Sequence, residues 1–397
     1  MQATNRPIET ISKGMELITT TEKLAETCSK LAQSRYITVD TEFLRESTFW
    51  PILCLIQTAS PELEAMIDPL ADGLDLTPFY DLLQNPDVLK VMHGCRQDIE
   101  IFHKNAGIIP QPLFDTQIAA MVCGFGDAVG YETLVRRTVG GKIDKGNRFT
   151  DWSQRPLSEA QLTYALADVT HLRGAFEFLE KQLEENKRRD WLTEEQQLLE
   201  DPELYVQSPD NAWKRLRMQD RRPHVLGILV EVAKWREIEA QSRNVPRSRV
   251  LKDDALRELA LQAPKDRKAL ARLRAVPKGF EKSRYAEPLL QAVERGRNMQ
   301  ADALPDMPKP IVNRPGIGPL VDLLKVLLKQ RSEETGVAPK LIANVADLER
   351  IASDEAPDVA ALHGWRLEIF GRYALDLKAG RLALATDGDA VVLINRN

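Results

Sequence analysis

The chain is short of cysteine, of aromatic residues and of long apolar runs, and each shortage excludes something. Its four cysteines, Cys28, Cys54, Cys95 and Cys123, all lie in the first third, and none stands in C-x-x-C spacing. They make neither a disulfide framework nor a zinc site, and they suit a reducing, cytoplasmic compartment. No apolar stretch approaches the roughly 18 residues of a membrane helix. The opening MQATNRPIETISKGMELITT lacks the apolar centre of a secretory signal. No G-x-x-x-x-G-K-[ST] occurs, so nucleotide-driven work is not indicated. What is present, 397 residues with 43% apolar and 28% charged side chains, is the composition of an ordinary soluble protein of two or three domains. Nothing argues for an oligomer, and a monomer is the default expectation.

The net charge of −5 conceals an asymmetry. Residues 1–205 carry 20 Lys+Arg against 33 Asp+Glu, residues 206–305 carry 22 against 13, and residues 306–397 carry 12 against 13. An acidic part suited to cations is followed by a basic part suited to a polyanion.

Between about residues 16 and 120, β-type runs alternate with helical ones. MELITT, YITVDTEF, ILCLIQTA, LEAMID, VLKVMHG and LFDTQIAA read as strand-forming. TEKLAETCSKLAQS, LTPFYDLLQ and CRQDIEIFHKNAG read as the intervening helices, which together make an α/β layer domain. YITVDTEF and ILCLIQTA are joined by a loop too short for a helix, so the sheet is expected to be mixed. Residues 130–185 read as mostly helical, with Ser158 placed to cap a long helix. Near residue 200, Pro202 and Pro209 in a polar stretch mark a linker. Beyond it there is almost no strand pattern until the last ten residues. Instead RNVPRSRVLKDDALRELA and TGVAPKLIANVADLERIA align at an offset of 92, with Val245 on Val337, Leu256 on Leu348 and Ala260 on Ala352. The expected plan is a domain over 1–205 and two copies of a helical module, 206–300 and 301–397.

Five side chains could carry chemistry. Asp40 and Glu42 are two apart on a strand and so share a face. Crowded carboxylates resist joint ionisation unless a cation lies between them, and hard divalent ions take such oxygens. Asp98 falls in the first turn of a helix, and Tyr164 and Asp168 are four apart on another, hence on one side. Taken singly, a D-x-E strand is an ordinary polar face and an acid at a helix start serves the dipole. The order and context of all five carry the reading.

VDTEFLRESTFWPILCLIQTA, VMHGCRQDIEIF with LFDTQIAA, and WSQRPLSEAQLTYALADVTHL resemble the three motifs of the DEDD exonuclease superfamily, and within it the bacterial ribonuclease D family. Tyr164, four before Asp168, resembles the tyrosine subtype; the histidine subtype would place His where Thr163 stands. The helical repeats resemble HRDC modules, the second more divergent. The resemblance implies an α/β ribonuclease H-like mixed-sheet domain followed by two all-α HRDC-type domains. It implies 3′→5′ hydrolysis of RNA, including tRNA precursors and other structured RNA with 3′ tails, releasing nucleoside 5′-monophosphates with two divalent ions, Mg2+ or Mn2+. Asp40, Glu42 and Asp168 would hold one ion, Asp40 would bridge to the second, and Asp98 would support that one. With an ordinary pKa near 10, Tyr164 is a poor base and is assigned to orienting water.

For the RNA itself, Gln57 and the loop ESTFWP are candidates to line the path of the 3′ end, with Phe49 or Trp50 stacking a base or merely packing on the sheet. Arg247, Arg249 and Lys252, among other basic residues of 243–284, form a candidate phosphate-binding face. Two alternatives stay open: DNA as substrate, and a catalytically silent nucleic-acid adaptor. The latter predicts the loss of at least one acid, whereas all are present.

Overall fold

Apolar strands flanked by helices assemble into one six-stranded sheet in the computed structural model, which describes residues 17–143, 146, 150–218, 220, 222–307 and 316–396. The strands are β1 (Leu17–Ile18), β2 (Tyr36–Leu44), β3 (Ile52–Ala59), β4 (Glu64–Ile67), β5 (Leu89–Met92) and β6 (Leu113–Asp115). Their order is β1-β4-β3-β2-β5-β6. β1 runs parallel to β4, β2 to β5 and β5 to β6, while β3 is antiparallel to β4, so the sheet is mixed. The first four residues of β2 are buried, because helices cover a sheet of this kind on both faces. Only toward its C-terminal end do Asp40 and Glu42 become half-exposed.

The helices of this part are α1 (Thr21–Leu31), α2 (Thr77–Gln84), α3 (Arg96–Ala106), α4 (Thr116–Val122), α5 (Tyr131–Val139), α6 (Glu159–Glu185) and α7 (Arg189–Gln197). LFDTQIAA, expected to be strand-forming throughout, is a strand only over its first three residues and a helix from Thr116. The reason is Asp115, whose side chain accepts from Gln117 N and Ile118 N and so starts α4. The 27-residue α6 begins at Ser158 with a reciprocal capping box to Gln161.

Further along lie α8 (Pro223–Ser242), α9 (Asp253–Gln262) and α10 (Ala286–Arg297), then α11 (Ile317–Thr335), α12 (Val345–Ser353) and α13 (Arg372–Lys378). The two sets keep the offset of 92: the short turn Arg247–Val250 matches Pro339–Ile342, and α9 starts 92 residues before α12. α8 and α10 cross at Gly227 and Gly296, where a Cβ on Gly227 would fall 2.4 Å from the Gly296 carbonyl oxygen. The chain ends in a hairpin, β7 (Leu382–Asp387) with β8 (Ala390–Asn395).

By contact the described residues form two units, one drawn from those within 17–42, 54–202 and 316–396, the other from those within 43–53 and 203–307. Residues 301–397 are expected as a module of their own, and within them the residues from 316 to 396 share a hydrophobic core with the sheet. Phe114, Phe176 and Leu179 lie in one cluster with Leu324, Leu327, Trp365 and Phe370. Trp191 stacks on Trp365 with ring centroids 4.7 Å apart, and Arg188 caps carbonyls of Val122 and Gly336 together. The second unit is built around Leu229, Val232, Trp235, Leu256 and Leu289, and the loop after β2 contributes Phe49 to it. Among the described residues no helix is long and apolar enough to cross a membrane.

Candidate active site

Asp40, Glu42 and Asp168 each present a carboxylate oxygen, all within 4.8 Å of one another. Strand alternation puts the first two on one face of β2, and α6 brings the third across to them. Two ties hold α6 at this height. Thr38 Oγ1, inside β2, donates to the Val169 carbonyl at 2.9 Å and to Ala59 O at 3.1 Å. The Tyr131 hydroxyl, from α5, donates to the carbonyls of Ala167 and Asp168. Arg173 adds a salt bridge to Glu64 at 2.8 Å, and Arg155 a bidentate one to Asp68.

Asp98 is held beside this group and not within it. Thr41, on the opposite face of β2 from Asp40 and Glu42, donates its hydroxyl to Asp98 Oδ1. Burial raises the Asp98 carboxyl to about 6, and the Thr41 donation works against that rise. Asp40 stands well above the ordinary carboxylate range, first through burial, then through the charges of Asp168, Asp98 and Glu42. The Tyr164 phenol is also pushed up by burial and by the neighbouring acids, first among them Asp168, so it stays protonated. Its ring lies 6.1 Å from that of the buried Trp152.

Crowded, partly desolvated carboxylates of this kind disfavour their own charge, and a hard cation relieves all of them at once. The donor set is all oxygen, which suits magnesium or manganese and not zinc or copper. The residues present therefore fit a divalent ion.

The candidate RNA contacts divide. Gln57 is fully buried and donates through Nε2 to Asp40 Oδ2 at 3.3 Å. That contact makes it a buried partner of Asp40. Phe49 is buried in the core of the second unit, one face of its ring covered by the Arg247 guanidinium 4.3 Å from the centroid. Trp50 is half-exposed and meets Phe49 edge-on, and Asn244 Oδ1 accepts from both of their backbone N–H groups. Arg247 is paired with the buried Glu237, which it shares with Arg215. Arg249 and Lys252 are exposed.

Thr38, Thr41, Gln57 and Tyr131 thus act on the site, yet the sequence pattern assigns none of them a positioning role. Only Thr41 has a local signal, as the hydroxyl between the two acids of D-T-E. The other ties cross between elements.

Two family models match the chain, one described as 3′-5′ exonuclease over residues 15–184 and one as HRDC domain over 225–293. A ribonuclease D of Nitrobacter hamburgensis is 53% identical over 96% of this chain and the whole of that protein. The chain belongs to the ribonuclease D family. A second member, from Granulibacter bethesdensis, is 49% identical over 95% of this chain and 96% of its own length. The crystal structure of Escherichia coli RNase D, described as an exoribonuclease involved in structured RNA processing, superposes with a TM-score of 0.81 at 29% identity, covering 92% of this chain and 99% of that one. The catalytic core of Trypanosoma brucei RRP6, at 21% identity and a TM-score of 0.54, shares the fold. As a ribonuclease D the chain is a 3′→5′ exoribonuclease, a hydrolase acting on RNA, and an HRDC region follows its mixed-sheet domain.

Proposed function

We propose that this ribonuclease D removes nucleoside 5′-monophosphates one at a time from RNA 3′ ends, with tRNA precursors and other structured RNA with 3′ tails as substrates, in the cytoplasm and as a monomer. The observation that carries the reading is the convergence of Asp40, Glu42 and Asp168 within 4.8 Å. Asp40, Glu42 and Asp168 would hold one divalent ion, Mg2+ or Mn2+, and Asp98 would help to hold a second. Bound there, such ions would lower the pKa of the attacking water and offset charge on the phosphate and leaving oxygen. The chain's own groups do the rest. Gln57 fixes one Asp40 oxygen, Thr41 fixes Asp98, and the neutral Tyr164 hydroxyl orients water without taking its proton.

The HRDC region, proposed to span 206–300, holds the RNA backbone through exposed basic side chains such as Arg249 and Lys252. Residues 301–397 are proposed to be its divergent copy, with a lesser part in binding. A trimming assay on a structured RNA with a 3′ tail, run with magnesium or manganese, tests the reading. Asp40→Asn is expected to lower the rate by at least about 100-fold, and equal rates in the two proteins refute the site. Matched RNA and DNA oligomers check the substrate class.

A further inference from the structure

Asp98 rides on the first turn of α3, and what fixes that turn is a carboxylate from another strand. Asp115, at the end of the edge strand β6, is buried and accepts five hydrogen bonds. Two come from its own helix, Gln117 N at 2.7 Å and Ile118 N at 3.3 Å, both to Oδ1. The other three come from the turn that leads into α3: Gly94 N at 3.0 Å to Oδ1, with Cys95 N at 3.0 Å and Cys95 Sγ at 3.2 Å to Oδ2. One side chain thus ties together the starts of two helices, where partial positive charge favours an anion. The backbone of Asp115 is held in turn. Gln196 of α7 accepts from Asp115 N at 2.7 Å and donates to Leu113 O at 3.0 Å, filling the hydrogen-bonding edge of β6 as a further strand would.

Gly94 itself turns with φ of +63°, a conformation open to glycine, so the turn between β5 and α3 has little stiffness of its own. Asp98 lies four residues on from Gly94, its carboxyl meeting Thr41.

We propose that Asp115 is a positioning residue for Asp98: its carboxylate sets the α3 entry turn and thereby the place from which Asp98 supports a divalent ion. The inference rests on the role given to Asp98 above. Asp115 reaches the metal only through that residue, so its removal weakens metal engagement and leaves RNA binding alone. Supporting groups behind metal ligands change metal affinity or activity by about 10–100-fold, and an effect in that range is expected.

The test compares wild type with Asp115→Asn, Gly94→Ala, Asp98→Asn and the Asp98→Asn/Asp115→Asn double variant. Manganese binding is measured by titration calorimetry without RNA, and RNA binding separately without metal. Asp115→Asn is expected to weaken manganese binding by about tenfold or more, with RNA affinity unchanged, and to add nothing once Asp98 is Asn. Gly94→Ala strains the same turn without touching the carboxylate and is expected to give the same signature, so it carries the test if the Asn variant does not fold. Unchanged manganese binding in Asp115→Asn or Gly94→Ala, or a loss that multiplies with that of Asp98→Asn, overturns the proposal. If Asp98→Asn itself leaves manganese binding intact, the metal role of Asp98 fails instead.

Discussion

The two helical repeats follow one backbone plan and differ in what their surfaces meet. Val245 and Val337, Leu256 and Leu348, and Ala260 and Ala352 stand at equivalent places, and the last two pairs are buried in both copies. The difference lies in what surrounds them. Arg249 is exposed, whereas its counterpart Leu341 is buried in the core shared with the sheet. Lys252 and its counterpart Asn344 are both exposed, but the second is a neutral cap for α12 and not a cation. A few positions decide whether a copy keeps a basic surface over its own core or gives up that surface to wall in a neighbour. Repetition in sequence therefore does not predict repetition of surroundings.

The comparison breaks most visibly under truncation. Ending the chain before residue 316 strips Leu324, Leu327, Trp365 and Phe370 from the shared core, each worth roughly 1.5–3 kcal/mol of burial or more. The expected outcome is loss of soluble, folded catalytic unit, read by expression and thermal unfolding. A soluble, fully active truncation would show the second copy to be dispensable. For the same reason, truncation is no measure of its share in RNA binding.

A single residue sharpens the point. Arg366 of the second copy is nearly buried and pairs with Glu194 at 3.0 Å and with Glu195, while its Nε donates to Leu341 O at 2.7 Å. Burial holds the Glu195 carboxyl up despite Arg366. Arg366→Ala leaves that acid buried without its cation, at an expected cost of about 3–5 kcal/mol, measured by urea unfolding. Replacing both partners, as Glu195→Gln with Arg366→Met, is expected to cost less than the single change.

In the first copy the expected effects are on binding and not on folding. Arg249→Glu with Lys252→Glu alters exposed groups, so stability is expected to stay within about 0.5 kcal/mol per site. RNA affinity is expected to fall, and the slope of its logarithm against log salt to shrink by about 0.7 per lost phosphate contact. An unchanged slope would move the RNA face elsewhere. Arg247→Ala is a poor probe of that face, because it also uncovers Phe49 and leaves Glu237 with Arg215 alone.

The split between legible and hidden follows from the range of the forces. The β2 acids and the Tyr164–Asp168 pair were readable because strand and helix periods fix which side chains share a face. Asp98 was readable only through the order of the motifs and their resemblance to the exonuclease family. Gln57 and Arg247 were readable as polar and basic, but their pairing with Asp40 and Glu237 was not, since those partners come from elsewhere in the fold. Lys90 teaches the same lesson. Within an apolar strand it looks misplaced, yet it is fully buried and its Nζ donates to the carbonyls of Asn85, Val88 and Gln111. The merging of residues 316–396 with the sheet was hidden because an apolar helix face does not say which face it meets.

The smallest expected effect separates the acidic site from the basic copy by its response to pH. Asp98 titrates near 6 in the fold, and an unfolded aspartate near 4. Between those values the folded protein holds a proton that the unfolded chain has lost, so the metal-free protein loses stability as pH rises through the window. Asp40, raised in the same direction by burial and its acidic neighbours, adds to the effect. A divalent ion competes with those protons and binds the deprotonated form, so the rise in melting temperature on adding magnesium should be small at pH 5 and largest above pH 7. RNA binding by arginine and lysine has no group titrating there and should depend on salt but scarcely on pH. The check is a melting series with and without magnesium from pH 5 to 8, beside RNA affinity over the same range. A magnesium shift independent of pH would mean that these carboxyls are not what the ion meets, and its persistence in Asp40→Asn would say the same.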